Sequence, residues 1–181
     1  MATEKKLFAA PTIAADNAAG GGGSICVWVH DEDWDPNDTN PELYYSYTPD
    51  PGGGWSAPAK VFVVDNLRYE TDPKVVYTSA NTALLVWTQN EMTRQQAEAP
   101  NAKYHEAMKS QELYYSKWTY NPATGTGVWT PAARITNDIA PNLYGDGLVA
   151  LGSDGTSGKA IAVWVRETTQ NPISWPNPRD W

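Results

Sequence analysis

Cysteine is nearly missing from this sequence. The single one, Cys26, excludes any disulfide within the chain, and it lies in an apolar segment where we expect a buried small hydrophobic residue in preference to a reactive thiol. Basic side chains are scarce too, with 13 lysines and arginines against 21 acidic residues and a net charge of −8. Because phosphate backbones and anionic membrane surfaces would repel such a chain, no nucleic-acid partner is expected.

Long hydrophobic runs are also missing. No stretch of 18 apolar residues occurs, and no charged segment is followed by the apolar run of a signal peptide. We therefore expect no membrane insertion and no signal peptide within this sequence. The apolar segments that do occur are short and rich in β-forming residues, and they are separated by turns that draw on 14 glycines and 14 prolines. This pattern predicts an all-β protein.

The β-rich segments belong to a repeated unit. An aliphatic run with tryptophan in its fourth position occurs at residues 25–29, 84–88 and 161–165, and Glu-Leu-Tyr-Tyr-Ser occurs identically at 42–46 and 112–116. Constant strands joined by loops of variable length are typical of a repeat protein. Because the three tryptophans recur on the most apolar strand, we expect them to fill the contacts between neighbouring units.

Alternation of apolar and polar residues divides the chain into β-propeller blades, each a four-stranded antiparallel sheet. We predict a leading outer strand at 4–10, a first blade at 11–64, a second at 73–136 and a partial third at 141–181. Two and a half blades do not close a ring, and the open ends leave unpaired strand edges. The fold prediction is therefore an all-β array of propeller blades with an incomplete ring in one chain.

Two explanations of the open ring remain. In the first, the chain is a homo-oligomer: the leading strand completes the third blade of the same or a neighbouring copy, and two three-bladed chains form a six-bladed ring with two-fold symmetry. In the second, the chain is a piece of a longer propeller. The sequence does not decide between them.

One turn carries a resemblance to a known family. The segment Thr48-Pro-Asp50-Pro-Gly52-Gly-Gly-Trp55 resembles the Asp-box of sialidase-like propellers, whose pattern is Ser/Thr-x-Asp-x-Gly-x-Thr-Trp. Gly54 departs from it, because the pattern has threonine there. The resemblance implies a structural hairpin between the third and fourth strands of a blade. In that hairpin Asp50 is expected to accept backbone N–H bonds and Trp55 to fold over the turn.

A second, degenerate copy of this pattern runs from Thr119 to Trp129 and keeps Asn121 and Gly125, with residues inserted between them. At the level of blade pattern the resemblance covers residues 5–166 and favours an extracellular or cell-surface location. It also implies what a sialidase site needs, namely three arginines for the substrate carboxylate and a tyrosine–glutamate nucleophile pair. The five arginines of this chain are scattered along the sequence, and an Arg-Ile-Pro signature is absent, so we expect no complete sialidase site.

The connections between second and third strands are the long ones, and loops that lengthen while strands stay constant are usual places for binding. The first such loop has oxygen-bearing side chains at the spacing of an EF-hand calcium loop, and the candidate ligands are Asp31, Asp33, Asp35, Asn37 and Glu42. Pro36 stands where that loop requires glycine, and the flanks are strands. A calcium site and a solvated acidic loop both remain open.

Aromatic residues outside the repeat register are candidates for sugar contact, because an exposed indole stacks on the apolar face of a sugar ring. The candidate ligand-binding residues are Trp34, Trp118, His105 and Trp175. The alternative for the tryptophans is packing of loops onto blades. His105 stands beside Glu106, but no nucleophile pairs with it by spacing, so no catalytic residue is assigned.

These observations favour a non-enzymatic binding or surface-assembly module of sialidase-like propeller type that presents long loops to a glycan or protein partner. Two alternatives remain. The chain is part of an exo-acting glycosidase whose remaining blades are missing or supplied by a partner chain, or it is a purely structural self-assembling repeat.

Overall fold

A computed structural model of the chain describes residues 11–17, 22–31, 41–50, 52–62, 68–93, 95–96, 110–137 and 145–166. The described residues form strands in three antiparallel sheets. No helix among them has the length and apolar character needed to cross a membrane. The all-β prediction is confirmed. The predicted leading strand at 4–10 lies outside the described residues.

Sheet A is the first blade. Its strands follow one another in space as in sequence, and they are β1 (Thr12–Ala15), β2 (Ser24–Asp31), β3 (Pro41–Thr48) and β4 (Ala59–Lys60). Period-two alternation puts Ile25 and Val27 on one face of β2, where both are fully buried. Trp28 lies on the other face and is half-buried.

Sheet B is the second blade and lies between the other two described sheets. Its strands are β5 (Arg68–Ser79), β6 (Thr82–Thr93), β7 (Gln111–Asn121), β8 (Thr126–Trp129) and β9 (Ala133–Arg134). Both β8 and β9 pair with β7, so together they take the place of a fourth strand. Pro131 lies in the break between them, which is expected because proline has no N–H for the ladder.

Sheet C contains β10 (Asp146–Ser153) and β11 (Ala160–Arg166), which form a hairpin. A bulge interrupts their register between Gly147 and Ala150, and Leu148 inside it has a φ of 52°. These strands correspond to the first two strands of the other blades. The fold is therefore that of propeller blades in an incomplete ring.

The first two blades share one register. Trp28 is paired with Tyr44 in sheet A, and Trp87 is paired with Tyr114 in sheet B. The serine that ends each Glu-Leu-Tyr-Tyr-Ser segment makes the same contact in both blades: Ser46 donates to the Ser56 carbonyl and Ser116 to the Thr130 carbonyl, each at 2.7 Å. This bond ties the third strand to the chain that follows the hairpin, which explains why the motif recurs.

The sheets stack face to face, with one cluster of buried residues in each interface. Between sheets A and B the cluster includes Ile25, Val27, Leu85, Trp87 and Trp118. The opposite face of sheet B contributes Val86 and Leu113 to a second cluster, against which Trp164 of sheet C packs. Trp87 and Trp164 therefore lie between blades, as the sequence predicted, whereas Trp28 lies on the outer face of sheet A.

Three indole nitrogens of the first interface are buried without a hydrogen-bond acceptor. The Nε1 atoms of Trp87, Trp118 and Trp129 have no partner among the described residues. Their rings contact other aromatic rings instead: Trp87 lies 5.3 Å from Phe62 between ring centroids, and Trp118 lies 5.3 Å from Tyr47. The indoles of Trp87 and Trp118 thus contribute volume and aromatic contact at the cost of an unsatisfied N–H group.

Candidate functional site

A polar cluster lies at the end of sheet B from which the long connection between β6 and β7 emerges. We call it the Glu91 cluster and define it as Arg68, Glu91, Tyr114 and Arg134. Arg68 begins β5, Glu91 lies near the end of β6, and Arg134 ends β9. Antiparallel pairing brings these strand ends together beside β7, and alternation along β6 puts Glu91 on the same face as Trp87, toward sheet A.

Glu91 is the centre of this cluster. Its Oε1 atom accepts a hydrogen bond from the Tyr114 hydroxyl at 2.5 Å, and its Oε2 atom accepts one from Arg68 Nη1 at 3.1 Å. Arg134 Nη2 also donates to Oε2, while Arg134 Nε donates to the Tyr114 oxygen at 2.6 Å. The carboxylate therefore joins one phenol and two guanidinium groups, so that side chains from four different strands meet.

The cluster is partly open to solvent. The side chains of Arg68 and Arg134 are 28% and 30% exposed, and that of Glu91 is 23% exposed. Tyr114 is the buried member, at 8% exposure, and its ring stacks on Trp87 with 5.9 Å between centroids. A ligand at this end of the sheet would meet the guanidinium groups before it met the phenol.

Tyr114 is held in its protonated form. Burial is the main reason that its pKa rises to about 12, and the hydrogen bond to Glu91 raises it further, while Arg134 opposes the shift. At neutral pH the phenol is thus a hydrogen-bond donor to Glu91. It fixes the carboxylate between the two arginines.

The first blade carries different chemistry at the matching position. Tyr44 occupies the place of Tyr114, and Lys60 pairs with it as Arg134 pairs with Tyr114. The Tyr44 ring stacks on Trp28 with 6.2 Å between centroids and meets the edge of His30 at 5.2 Å. The repeat therefore supplies a common frame, and the substitution of lysine by arginine distinguishes the second blade.

The Asp-box segment forms a hairpin in which Asp50 organises the turn. Asp50 Oδ1 accepts a bond from the Gly52 N–H at 3.3 Å, and the Thr48 hydroxyl donates to the Asp50 carbonyl at 2.7 Å. Gly53, one residue beyond the glycine of the pattern, approaches most closely: a Cβ atom there would lie 3.0 Å from Thr48 Oγ1. Trp55 is 47% exposed.

The degenerate copy uses an amide in place of the carboxylate. Asn121 Oδ1 accepts a bond from the Ala123 N–H at 3.0 Å, and Gly125 takes a φ of 69°, which a glycine adopts without steric cost. The Tyr47 hydroxyl donates to the Gly125 carbonyl at 2.8 Å, so the hairpin of the second blade is tied to the third strand of the first. These turns lie at the end of the sheets opposite the Glu91 cluster.

The structure corrects one of the predicted ligand contacts. Trp118 is 2% exposed and packs in the cluster between sheets A and B, so its ring is not available to a sugar. The period-two position of Trp118 on β7 puts it on the same face as Tyr114, toward sheet A. Trp34, His105 and Trp175 lie outside the described residues, and their ligand contacts stay predictions.

The predicted calcium loop is only partly described. Asp33, Asp35 and Asn37 lie outside the described residues, and the backbone of Asp31 is described at the end of β2. Glu42 is 4% exposed at the start of β3, opposite His30. In the part of the chain that the structure describes, no three histidine, cysteine or acidic side chains lie close enough to hold a metal ion.

A small cleft of about 140 Å³ lies at the hairpin end, between sheets B and C, and it is lined by Thr78, Ser79, Thr82, Leu84, Lys117, Gly158 and Ala160. Pockets that enclose small-molecule ligands usually measure about 300 Å³ or more. The cleft is therefore too small to enclose a sugar ring, and we assign no ligand to it.

Sequence reasoning misses the Glu91 cluster. Arg68 and Arg134 stand far apart in the sequence, so the arginines are predicted to be scattered. The strand pattern of the sequence also predicts that Glu91 lies in a loop. A signal is present for two members. Since Ala133-Arg134 follows the second Glu-Leu-Tyr-Tyr-Ser as Ala59-Lys60 follows the first, the repeat itself predicts that Arg134 pairs with Tyr114.

Comparison with known proteins gave structural similarity alone. No protein-family model and no curated protein matched the chain. Among solved structures, Trypanosoma rangeli sialidase matches 71% of this chain at 18% identity with a TM-score of 0.42. The same enzyme in complex with the inhibitor DANA matches 88% of the chain at 14% identity with a TM-score of 0.47.

The matched region covers 20% and 28% of the two sialidase chains, so this chain spans about a quarter of their length. Similarity of this size concerns the propeller fold and carries no argument about activity.

Proposed function

We propose that this chain is a non-enzymatic binding module of sialidase-like propeller type, which uses the loop end of its blades to bind a glycan, or a protein that offers similar polar groups. The observation that carries the proposal is the Glu91 cluster. It gathers two guanidinium groups, a carboxylate and a phenol at the end of the sheet from which the long loop emerges.

The geometry of the arginines supports a polar ligand. Arg134 is fixed by Glu91, by the Tyr114 oxygen and by Asn137 Oδ1 at 3.1 Å from its Nη1 atom. Its guanidinium group also lies 5.5 Å from the centre of the Tyr114 ring. An arginine held in this way has lost its rotational freedom before a ligand arrives, so binding through its exposed N–H groups costs less entropy.

The state of Tyr114 supports binding over catalysis. A tyrosine nucleophile must be activated by a base or by a lowered pKa. Tyr114 instead has its pKa raised to about 12, and the phenol is 8% exposed beneath Arg134. In this arrangement the phenol positions Glu91 and Arg134, and the guanidinium groups face the ligand.

A second candidate function is supported by one contact. The 2.5 Å hydrogen bond between Tyr114 and Glu91 has the form of a phenol beside a general base, flanked by two arginines. If further blades from a partner chain covered this end, part of an exo-acting glycosidase site would be present. The two candidates differ in a measurable way, because only the glycosidase turns over substrate.

The test combines a binding screen with a hydrolysis assay. Acidic and neutral oligosaccharides are presented to the chain, to Arg134→Met and to Lys117→Met. Lys117 is an exposed cation toward the other end of β7, so it serves as the matched control. We expect Arg134→Met to weaken glycan binding about tenfold or more, because an arginine–carboxylate pair is a strong hydrogen bond, and Lys117→Met to leave it unchanged.

Circular dichroism of both variants separates loss of binding from loss of folding. Equal binding by Arg134→Met and the unaltered chain would contradict the proposed site. Hydrolysis of a fluorogenic sialoside that Tyr114→Phe abolishes would favour the glycosidase. Binding that is confined to a protein ligand would refute the proposal that the ligand is a glycan.

The acidic loop of the first blade carries a further part of the proposal, a calcium ion held by Asp31, Asp33, Asp35, Asn37 and Glu42. Carboxylate and amide oxygens are the ligands that calcium prefers. Glu42, the last of these residues in the sequence, is buried near the start of β3.

A further inference from the structure

One face of sheet C exposes a row of aliphatic side chains, which we call the β11 aliphatic face and define as Ile161, Val163 and Val165. They are 74%, 63% and 57% exposed. Their alternation with Ala162 and Trp164, which pack toward sheet B, is the period-two pattern of a strand buried on both sides. Three β-branched residues in one exposed row are unusual unless another surface covers them.

The first blade shows how this same row is covered. Its β2 strand carries Ile25, Val27 and Val29 around a tryptophan in the same register. Ile25 and Val27 are 0% exposed there. Sheet B buries them, with Leu85 and Trp87 in the same cluster. The difference between β2 and β11 is therefore the neighbouring sheet, since the two strands have nearly the same sequence.

In both internal interfaces, the surface that covers the aliphatic row is the sheet face that carries the tryptophan of the aliphatic run. Trp87 and Tyr114 of sheet B cover sheet A. Trp164 of sheet C covers Val86 and Leu113 on the far side of sheet B. The stack thus repeats one interface, in which a tryptophan face meets an aliphatic face.

One tryptophan face of the chain is covered by neither of the other two described sheets. We call it the Trp28 face and define it as Ile13, Cys26, Trp28 and Tyr44. Ile13 is 64% exposed, and Cys26 and Trp28 are half-buried. Cys26 occupies the position that Leu85 occupies in sheet B, where Leu85 is fully buried.

We propose that the β11 aliphatic face of one copy docks against the Trp28 face of a second copy of this chain. Each copy carries one face of each kind, and the two are the unmatched halves of an interface that the chain already makes twice. Each copy has three sheets in its stack, so two copies supply the six blades of a ring, and two contacts of this kind close that ring with two-fold symmetry. The inference does not depend on the ligand proposed above.

Mass in solution gives the first test. We expect twice the 19.9 kDa of one chain by light scattering across the micromolar range. Val163→Asp should raise the dimer dissociation constant by about 100-fold or more, because it would bury an unpaired carboxylate. Val128→Asp is the matched control: Val128 is a 68% exposed strand valine of sheet B, and the variant has the same added charge.

A mixing experiment tests which faces meet. Ile13→Asp alters the Trp28 face as Val163→Asp alters the β11 aliphatic face, so each variant alone should be monomeric. A mixture retains one intact pair of faces, and it should recover dimers. Two copies that met through identical faces would not recover in this way.

Cys26 offers a measurement that needs no new variant. Its thiol should react more slowly with a thiol reagent in the dimer than in the Val163→Asp monomer, because the second copy would cover it. A chain that stays monomeric at about 100 μM, where a micromolar contact is saturated, would overturn the proposal. So would an oligomer whose mass Val163→Asp leaves unchanged, because other strands or another surface would then account for the assembly.

Discussion

Replacement of Gly127 by alanine should destabilise the chain more than its surface position indicates. Gly127 lies on β8, opposite Tyr120 of β7. A Cβ atom at this position would lie 2.3 Å from Cε2 and Nε1 of the Trp118 ring. Carbon atoms in contact are normally about 3.5–4.0 Å apart, so the ring or the strand must move by more than about 1 Å.

The Trp118 ring has little room to move. It is 2% exposed and contacts the rings of Tyr47, Tyr77 and Tyr120 at centroid distances of 5.3, 6.3 and 5.9 Å. Overpacking of this kind costs about 1–3 kcal/mol, and alanine returns about 0.4–1 kcal/mol by restricting the unfolded chain. The midpoints of these ranges leave a net loss of about 1.3 kcal/mol, which corresponds to a melting temperature lower by about 3–5 °C for a chain of this length.

Thermal unfolding of Gly127→Ala and Gly152→Ala checks this expectation. Gly152 also lies in a strand, but a Cβ atom there meets nothing within 4 Å, so its variant should be equal to or more stable than the unaltered chain. Equal melting temperatures for the two variants would refute the placement of Trp118 beneath β8. A smaller ring in the double variant Gly127→Ala/Trp118→Leu should recover part of the loss, since the two residues are in contact.

Four further predictions concern charge and metal. The phenol of Tyr114 should titrate near pH 12. Because its pKa is raised, its contribution to stability is complete below about pH 10 and disappears between about pH 10 and 12. The difference in tyrosinate absorbance between Tyr114→Phe and the unaltered chain measures this titration. The Asp154 carboxylate accepts bonds from the N–H groups that follow it in the hairpin, so its pKa falls to about 2. Its contribution to stability is therefore present above about pH 4 and lost toward pH 2. A carboxyl NMR titration with an ordinary midpoint would contradict this expectation. Asp146→Asn should lower the free energy of unfolding, measured in urea, by about 2–3 kcal/mol. The reason is that the fully buried carboxylate accepts two bonds from Arg166 and one from the Trp164 indole. A stability within about 0.5 kcal/mol of the unaltered chain would mean that the Asp146–Arg166 pair is dispensable. The calcium proposal predicts a higher melting temperature in calcium than in chelator. Equal melting temperatures would mean that the loop at 31–42 is a solvated acidic loop that binds no calcium.

The sequence predicted the fold well where the signal repeats. The aliphatic run at 84–88 and the tyrosine pair at 114–115 each mark a strand, and identical motifs in two blades imply identical register. The same logic failed for Trp118, because the matching position of the first blade holds Thr48 and the repeat therefore offers no second tryptophan for comparison. In the structure, the 2% exposure of Trp118 and the close approach of Gly127 show that a large ring fills the space beneath β8.

The candidate site was harder to predict because its members are joined by geometry and not by spacing. Arg68 and Glu91 meet because two strands of similar length end together, and that depends on bulges in their register between Arg68 and Glu70 and between Thr71 and Lys74. Asp72 inside this irregular stretch has a φ of 50°, a left-handed conformation that is uncommon outside glycine and that the strand pattern does not predict. A register change of one residue would turn Glu91 to the opposite face of the sheet.

The indoles without acceptors give the molecule an optical property. The Nε1 atoms of Trp87, Trp118 and Trp129 are buried without an acceptor among the described residues, while the Trp164 indole donates to a carboxylate at the other interface. Emission from the first group should lie at short wavelength and shift to the red when water enters between the first and second blades. A loss of this short-wavelength emission would therefore report the opening of the contact between the first and second blades.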